Sequence, residues 1–316
     1  MRAVQVMAPG KTEIIDIPTP QMAAGKVFTR TLLASICGSD WPVVTHDRGD
    51  VKYPLAPGMP GHEVVAVVEQ SDAPGFEQGD IVLDVGYDGS FREFQVREPE
   101  HLLKLPSDKP MDEMLMTQPL GAVIHGLRKW RTTVMGQTVV VIGQGTIGQF
   151  WTALIKMQGA TRIIGLDLED GRLALGRKMG ATHQVNPSKS NAIEAVMDLT
   201  GGEGADMVVE AVGSETTYNW AAPMVRRGGS ITFYGLPKKA VTPLDFVTLM
   251  RKDPTLYTSI RGEKDADFAA ARELIASGRV YVKPLLTHRM PIAKVYQAHE
   301  LAESRADNVM KVILEF

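Results

Sequence analysis

Two groups of residues in this chain have the types and spacing to do chemistry. Gly143, Gly145 and Gly148 form a G-x-G-x-x-G run, and Asp167 stands 24 residues after its first glycine. The first glycine permits a tight turn off a strand. The second lets a backbone approach a pyrophosphate, and the third lets a helix and a strand pack closely. The helix start that follows, with Thr146 and Ile147, offers unpaired N–H groups and a positive dipole end to phosphates. The Asp167 carboxylate can accept hydrogen bonds from a ribose diol and would repel a 2′-phosphate, which favours NAD over NADP; Arg172 leaves room for NADP. The second group is Cys37, Ser39 and Asp40 together with His62 and Glu63. Cys, His and carboxylate are zinc donors when a fold brings them together. Taken bare, the single cysteine of a chain is commonly a small buried hydrophobe, and a His-Glu pair is commonly a satisfied or surface pair.

The elements that must position these groups are legible as patterns. Val139 to Ile142 is a β-branched run suited to a strand buried on both faces, and Phe150, Leu154 and Met157 follow at helical spacing. Ile163 to Leu166 reads as the next strand, ending on Asp167. Strands and helices alternate from Gln137 to about Gly262, including strand-like runs at Asp206–Gly213 and Gly228–Gly235. This alternation predicts an α/β domain built on a doubly wound parallel sheet. Residues 1 to about 110 read differently: short strands around Ala3–Val6, Val27–Leu33, Val64–Val68, Ile81–Leu83 and Phe91–Val96, punctuated by Gly and Pro, predict a small barrel. Residues 111–130 carry a helical apolar face. The tail, from Leu285 to His288 and from Val309 to Phe316, returns to strand patterns that could close on the first domain.

Composition narrows the class. The chain has 316 residues, 44% hydrophobic and 22% charged, enough for two domains with sizeable cores. A formal net charge of −3 gives no nucleic-acid signature. No apolar run approaches the ~20 residues of a membrane helix, and the N-terminal residues run directly into strand-like alternation without a signal-peptide pattern. One cysteine cannot form an intramolecular disulfide, which accords with a reducing compartment, and the expected location is the cytoplasm.

CGSD at Cys37–Asp40, PGHE at Pro60–Glu63, Gly79-Asp80 before a strand, Gln118-Pro119-Leu120, the nucleotide motif, Ala211-Val212-Gly213 and the closing Lys311-Val312 occur in this order. In this combination the chain resembles the zinc-dependent medium-chain dehydrogenase/reductase family. The resemblance implies a GroES-like β-barrel catalytic domain over residues 1–117 and 285–316, and a Rossmann domain over 118–284. It implies one catalytic zinc bound by Cys37 and His62, with Glu63 binding directly or sitting just behind. The third protein ligand is expected at the position of Gln118, where Cys, Asp or Glu is usual and a neutral amide is a weaker donor. Ser39 is the expected proton carrier; a relay histidine is replaced by Pro42, and His46 lies close by in sequence. Cofactor contacts are expected from Gly143, Gly145, Thr146, Ile147, Gly148, Asp167, Arg172, Ala211, Val212 and Gly213. Val85 to Ser90 bridges directly to the next strand where family members often carry a four-cysteine zinc lobe.

The implied reaction is hydride transfer between NAD(H) and a secondary alcohol, polyol or sugar hydroxyl, or the matching carbonyl, in a homodimer or homotetramer. Two alternatives stand beside it. One is a zinc-free, NADPH-dependent quinone or enoyl reductase, favoured by Gln118 and opposed by Cys37, His62, Glu63 and Asp167. The other is a nucleotide-binding protein that kept the fold and lost the chemistry. His125, His288 and His299 are read as packed or surface groups, Trp41 as a pocket wall or a packing residue, and Arg261 as a contact to cofactor or substrate.

Overall fold

The structure, a computed structural model, describes residues 1–46, 51–86, 89–237 and 242–316. The chain divides into two compact units, Met1–Gly121 with Gly262–Phe316, and Ala122–Arg261.

The first unit opens with an antiparallel pair, β1 (Arg2–Ala8) and β2 (Lys11–Asp16). It continues with β3 (Val27–Ser35), the short helix α1 (Trp41–Val44), β4 (Val64–Ser71), β5 (Ile81–Asp84), β6 (Phe94–Arg97) and β7 (Leu102–Lys104). Two helices follow, α2 (Met111–Leu115) and α3 (Thr117–Arg128), where the sequence pattern suggested one. β3 alternates buried and more exposed positions along its first half and is buried throughout its last three residues. There it pairs antiparallel with the equally buried start of β4, Ala34 opposite Val64. The end of one strand and the start of the next therefore lie side by side, and this brings residues 36–37 beside 62–63.

The second unit is a six-stranded parallel sheet in the order β10-β9-β8-β11-β12-β13. In chain order it runs β8 (Thr138–Ile142), α4 (Thr146–Met157), β9 (Arg162–Leu166), α5 (Asp170–Met179), β10 (His183–Val185), α6 (Ala192–Leu199), β11 (Ala205–Glu210), α7 (Glu215–Met224), β12 (Val225–Phe233), α8 (Phe246–Lys252) and β13 (Thr255–Thr258). Strand order reverses beside β8, so the loops leaving β8 and β11 flank a switch point of the kind that receives ligands in open α/β sheets. The buried face of α4 is Phe150, Trp151, Leu154 and Ile155, while Met157, expected on that face, is exposed.

The chain then returns to the first unit through α9 (Ala269–Ala276), β14 (Leu286–Pro291), α10 (Val295–Ser304) and β15 (Lys311–Glu315). β15 runs antiparallel to β3, Ile313 opposite Ser35, in a sheet ordered β14-β15-β3-β4-β5-β7, with β6 also on β3. The tail thus closes on the first domain as its pattern suggested. Re-entry comes at Gly262, ahead of the expected residue 285. The reason lies in Phe268, fully buried against Gly121 and Gly262. β2 carried no sequence signal, because its side chains are half or wholly exposed and show no apolar alternation. β6 starts at Phe94 rather than Phe91, which is itself fully buried ahead of the strand. Of the Val85–Ser90 connection, Tyr87 and Asp88 lie outside the described residues. None of the described helices is long and apolar enough to cross a membrane.

A Cβ on Gly121 would overlap the Phe268 ring. Gly121→Ala is expected to cost about 1–3 kcal/mol by overpacking, and Phe268→Ala about 3–5 kcal/mol. Urea unfolding of the double variant should give a loss smaller than the sum, because the new methyl occupies part of the space the ring vacates.

Candidate active site

Cys37, His62 and Glu63 converge at the buried junction of β3 and β4. Their ligand atoms all lie within 4.8 Å of one another, the one such His/Cys/Asp/Glu cluster among the described residues. Local hydrogen bonds fix each of them. The Cys37 N–H donates to Asp40 Oδ2 at 2.9 Å and the Asp40 N–H to the Cys37 carbonyl at 3.0 Å, which closes the loop ahead of α1. Ser39 Oγ donates to Cys37 Sγ at 3.2 Å. His62 Nδ1 is 3.0 Å from the Pro60 carbonyl and 3.4 Å from Asp40 Oδ1. This leaves Nε2 as the nitrogen for a ligand, the arrangement by which outer partners orient a metal-binding imidazole. His62 is thus the cationic partner of Asp40 when protonated.

Glu63 is 1% exposed. Its Oε2 pairs with Lys311 Nζ at 2.5 Å and accepts from Ser35 Oγ, while Oε1 is buried with no hydrogen-bond partner among the described residues. Lys311, 5% exposed, also donates to the Ile36 carbonyl at 2.9 Å. A buried carboxylate oxygen left bare, beside a thiol and an imidazole, is what a divalent cation of zinc type would satisfy. The electrostatics point the same way. Burial alone would lower the His62 pKa, but the charges of Cys37, Asp40 and Glu63 and a hydrogen bond to Cys37 hold it at about 10. Burial likewise pushes Asp40 up to about 6 against the pull of His62. Burial would lower Lys311, yet Glu63 and Cys37 keep it raised. The cluster thus holds positive charge strongly, as a cation site must.

The remaining first-unit positions fall in different places. Gln118 is buried in the first turn of α3. Pro42 is buried in α1. His46 forms an ion pair with Glu303, Nε2 to Oε1 at 2.8 Å. Trp41 is partly buried and packs on the cluster containing Val4, Ile36 and Phe91. His288 bonds Thr287 and Asp307, and His299 is buried beside Phe91 with its pKa lowered by burial to about 4. Sequence reasoning named Lys311 only as part of a closing motif. Its one local signal is a charged residue heading the otherwise apolar strand KVIL, buried at all four positions.

In the second unit, Gly143 has φ 90°, and a Cβ on Gly148 would overlap the Gly143 carbonyl, so both glycines are required by the turn. Gly145 caps α4 without a side-chain bond, and Thr146 and Ile147 form the first turn of the helix, whose N-terminal dipole end favours an anion. Asp167 ends β9 beside this turn: its Oδ2 accepts from the Gln144 N–H at 2.7 Å and its Oδ1 from the Glu169 N–H at 3.0 Å. Arg172 Nη1 lies 3.7 Å from where a Gly145 Cβ would stand, so the structure brings it over the glycine turn. At the exit of β11, Glu210 Oε1 accepts from the Val212 and Gly213 N–H groups, both at 2.9 Å, shaping the Ala211–Gly213 loop. Sequence reasoning passed over Glu210 as a strand residue. His125 is partly buried in α3, and Arg261 is exposed with φ 65°.

Two measurements test the buried charge cluster. Lys311→Met strands the Glu63 charge and should cost about 3–5 kcal/mol in urea unfolding, with much of the loss recovered in Lys311→Met/Glu63→Gln. The second concerns metal-free protein. Below pH 6.5, His62 is charged in folded and unfolded chains alike, and its stabilisation is fully present. Between 6.5 and about 10 only the folded chain keeps the proton, so the stability difference between the wild type and His62→Gln should shrink across that window.

Two stretches of the chain match known families. Residues 23–107 match the family model of the alcohol dehydrogenase GroES-like domain, and residues 146–277 match that of the zinc-binding dehydrogenase. The L-threonine 3-dehydrogenase of Bacillus velezensis is 28% identical over 95% of this chain and 94% of that enzyme. The sorbitol dehydrogenase of Bacillus subtilis is 26% identical over 99% and 97%. Among solved structures, the alcohol dehydrogenase TADH from Thermus sp. ATN1 superposes with a TM-score of 0.88 at 26% identity, covering 100% of both chains. With a cysteine-histidine-carboxylate cluster in a GroES-like unit and a dinucleotide turn on a parallel sheet, this chain belongs to the zinc-type medium-chain dehydrogenase family, whose members carry out oxidoreduction of hydroxyl groups.

Proposed function

We propose that the protein is a zinc-dependent dehydrogenase that moves a hydride between NAD(H) and a secondary alcohol, polyol or sugar hydroxyl. The observation that carries this reading is the meeting of Cys37, His62 and Glu63 with one carboxylate oxygen left bare. Those three residues would hold the metal, with the Gln118 amide oxygen as a further, weaker donor. When bound, zinc supplies Lewis acidity toward a hydroxyl oxygen and NAD supplies the hydride acceptor.

The chain's own residues do the rest. Asp40 and the Pro60 carbonyl keep the His62 ring oriented. Lys311 and Ser35 hold one oxygen of Glu63 and leave the other available. Ser39 Oγ, next to Cys37 Sγ, is the group we assign to take the hydroxyl proton. Its onward path does not use a histidine at residue 42, and His46 is engaged by Glu303. In the second unit, the glycine turn and the start of α4, with Gly143, Gly145, Thr146, Ile147 and Gly148, receive the pyrophosphate, helped by Arg172. Asp167 accepts the ribose diol, and the Ala211-Val212-Gly213 loop lines the same sheet edge. Assembly as a homodimer or homotetramer is part of this reading, supported by the exposed apolar side chains Phe246, Val247, Met250, Leu256 and Ile260 on and around α8 and β13 at the sheet edge.

Purified protein should contain one zinc per chain by metal analysis and reduce NAD in preference to NADP on a panel of secondary alcohols, polyols and sugars. Cys37→Ser should lose the metal and at least about a hundredfold in kcat/KM. Metal-free protein whose turnover survives Cys37→Ser would sink the reading.

A further inference from the structure

The residue between the first two glycines of the motif does something unusual for a turn position. Gln144 is fully buried. Its side chain lies in a slot made by two glycines on neighbouring elements, Gly165 of β9 and Gly176 of α5. A Cβ on Gly165 would stand 3.1 Å from its Cδ, and one on Gly176 2.6 Å from its Oε1. Within the slot, Thr152 Oγ1 of α4 donates to Oε1 at 3.2 Å, and Nε2 lies 3.4 Å from the Val141 carbonyl of β8. An amide buried without such partners would be costly, so the slot specifies this side chain and not merely its volume.

The main chain of the same residue is tied on both sides. Its N–H donates to Asp167 Oδ2 at 2.7 Å. Its carbonyl accepts from Gln149 Nε2 at 2.9 Å, and the same nitrogen bonds the Arg172 carbonyl at 2.9 Å. Gln144 therefore links the glycine turn, the acid at the end of β9 and the start of α5. Asp167 meanwhile has a backbone donor on each oxygen, the second from Glu169. Its carboxylate is held at both ends and cannot swing aside.

We propose that Gln144 is a positioning residue for cofactor choice: its side chain, locked between β9 and α5, fixes the glycine turn and the Asp167 carboxylate as one bracket that accepts a dinucleotide with a free ribose diol and refuses one carrying a 2′-phosphate. The proposal rests on the reading of Asp167 as the ribose acid. The physical basis of refusal is a like charge with no freedom to retreat; loosening the bracket lets the carboxylate turn away and lowers the penalty for a phosphate.

The test is binding of NADH and of NADPH to the purified protein, by fluorescence titration, together with melting temperature. The variants are Gln144→Leu, which keeps the bulk and removes the amide, Gly176→Ala, which drives the amide from its slot, and the mild Thr152→Val. In Gln144→Leu and Gly176→Ala the NADPH:NADH ratio of Kd values should fall about tenfold, through tighter NADPH binding together with weaker NADH binding. In Thr152→Val it should fall by a smaller factor. A lowered melting temperature with the Kd ratio unchanged within about twofold in all three variants overturns the proposal, because a purely structural role moves stability alone. Asp167→Ala is measured alongside. A fallen ratio there with unmoved ratios in the Gln144-slot variants defeats this proposal only, whereas an unmoved ratio in Asp167→Ala removes the assignment on which it rests.

Discussion

Negative charge buried at the end of β3 and β4 is the constraint on which the first unit depends. Glu63 is sealed from water, and its neighbours Cys37 and Asp40 add to the anionic field around His62. An uncompensated carboxylate at such a site would cost several kcal/mol. The compensating ammonium comes from Lys311, whose Nζ reaches both Glu63 and the carbonyl of Ile36, a residue 275 positions earlier in the chain. The buried cluster cannot be complete until β15 has paired with β3, and β15 is almost the last element to be made. The pairing Ile313 opposite Ser35 and the bond from the Ile36 N–H to the Val312 carbonyl place the lysine at the height of Glu63. Backbone register and charge compensation are thus one requirement.

The second unit is organised by the opposite sign. Its focus is a helix start, where Gly145 caps α4 without supplying a side-chain acceptor, and the helix dipole presents positive potential there. A carboxylate at this turn, Asp167, is already held by two backbone N–H groups, which stabilises its charge there. The two units differ in how far their contacts reach. β8, α4 and β9 follow one another directly, whereas the metal-binding type of cluster joins residues from β3, β4 and β15 across most of the chain.

That difference explains what could be read from the residues alone. The glycine turn, the strand before it and the acid after it are local in sequence, and each has a residue-type requirement, so they were legible. The cluster was half legible: Cys37, His62 and Glu63 were named by type and resemblance, but their meeting depends on Ala34 lying opposite Val64, which no local pattern encodes. The Glu63–Lys311 pair was invisible, since a single lysine at the head of a strand does not announce its partner. β2 left no trace because an exposed edge strand needs no apolar alternation. Gln144 and Glu210 were passed over for a related reason. Polar side chains at a turn or strand end read as solvated groups, and only the fold shows that both are fully buried.

Charge balance bears on the most unusual residue of the family pattern, the neutral Gln118 where a thiolate or carboxylate is common. On the proposed reading, Cys37, Asp40 and Glu63 carry three negative charges, Lys311 contributes one positive charge and a divalent cation two. The set is then neutral before any side chain at residue 118 is counted. A carboxylate in place of the buried Gln118 would add a further buried anion, and a buried unpaired charge is the costly case. A neutral amide can lend an oxygen without that cost. On the proposed reading, a neutral Gln118 is compatible with a site whose negative charge comes from Cys37, Asp40 and Glu63 and whose resident counter-charge is Lys311.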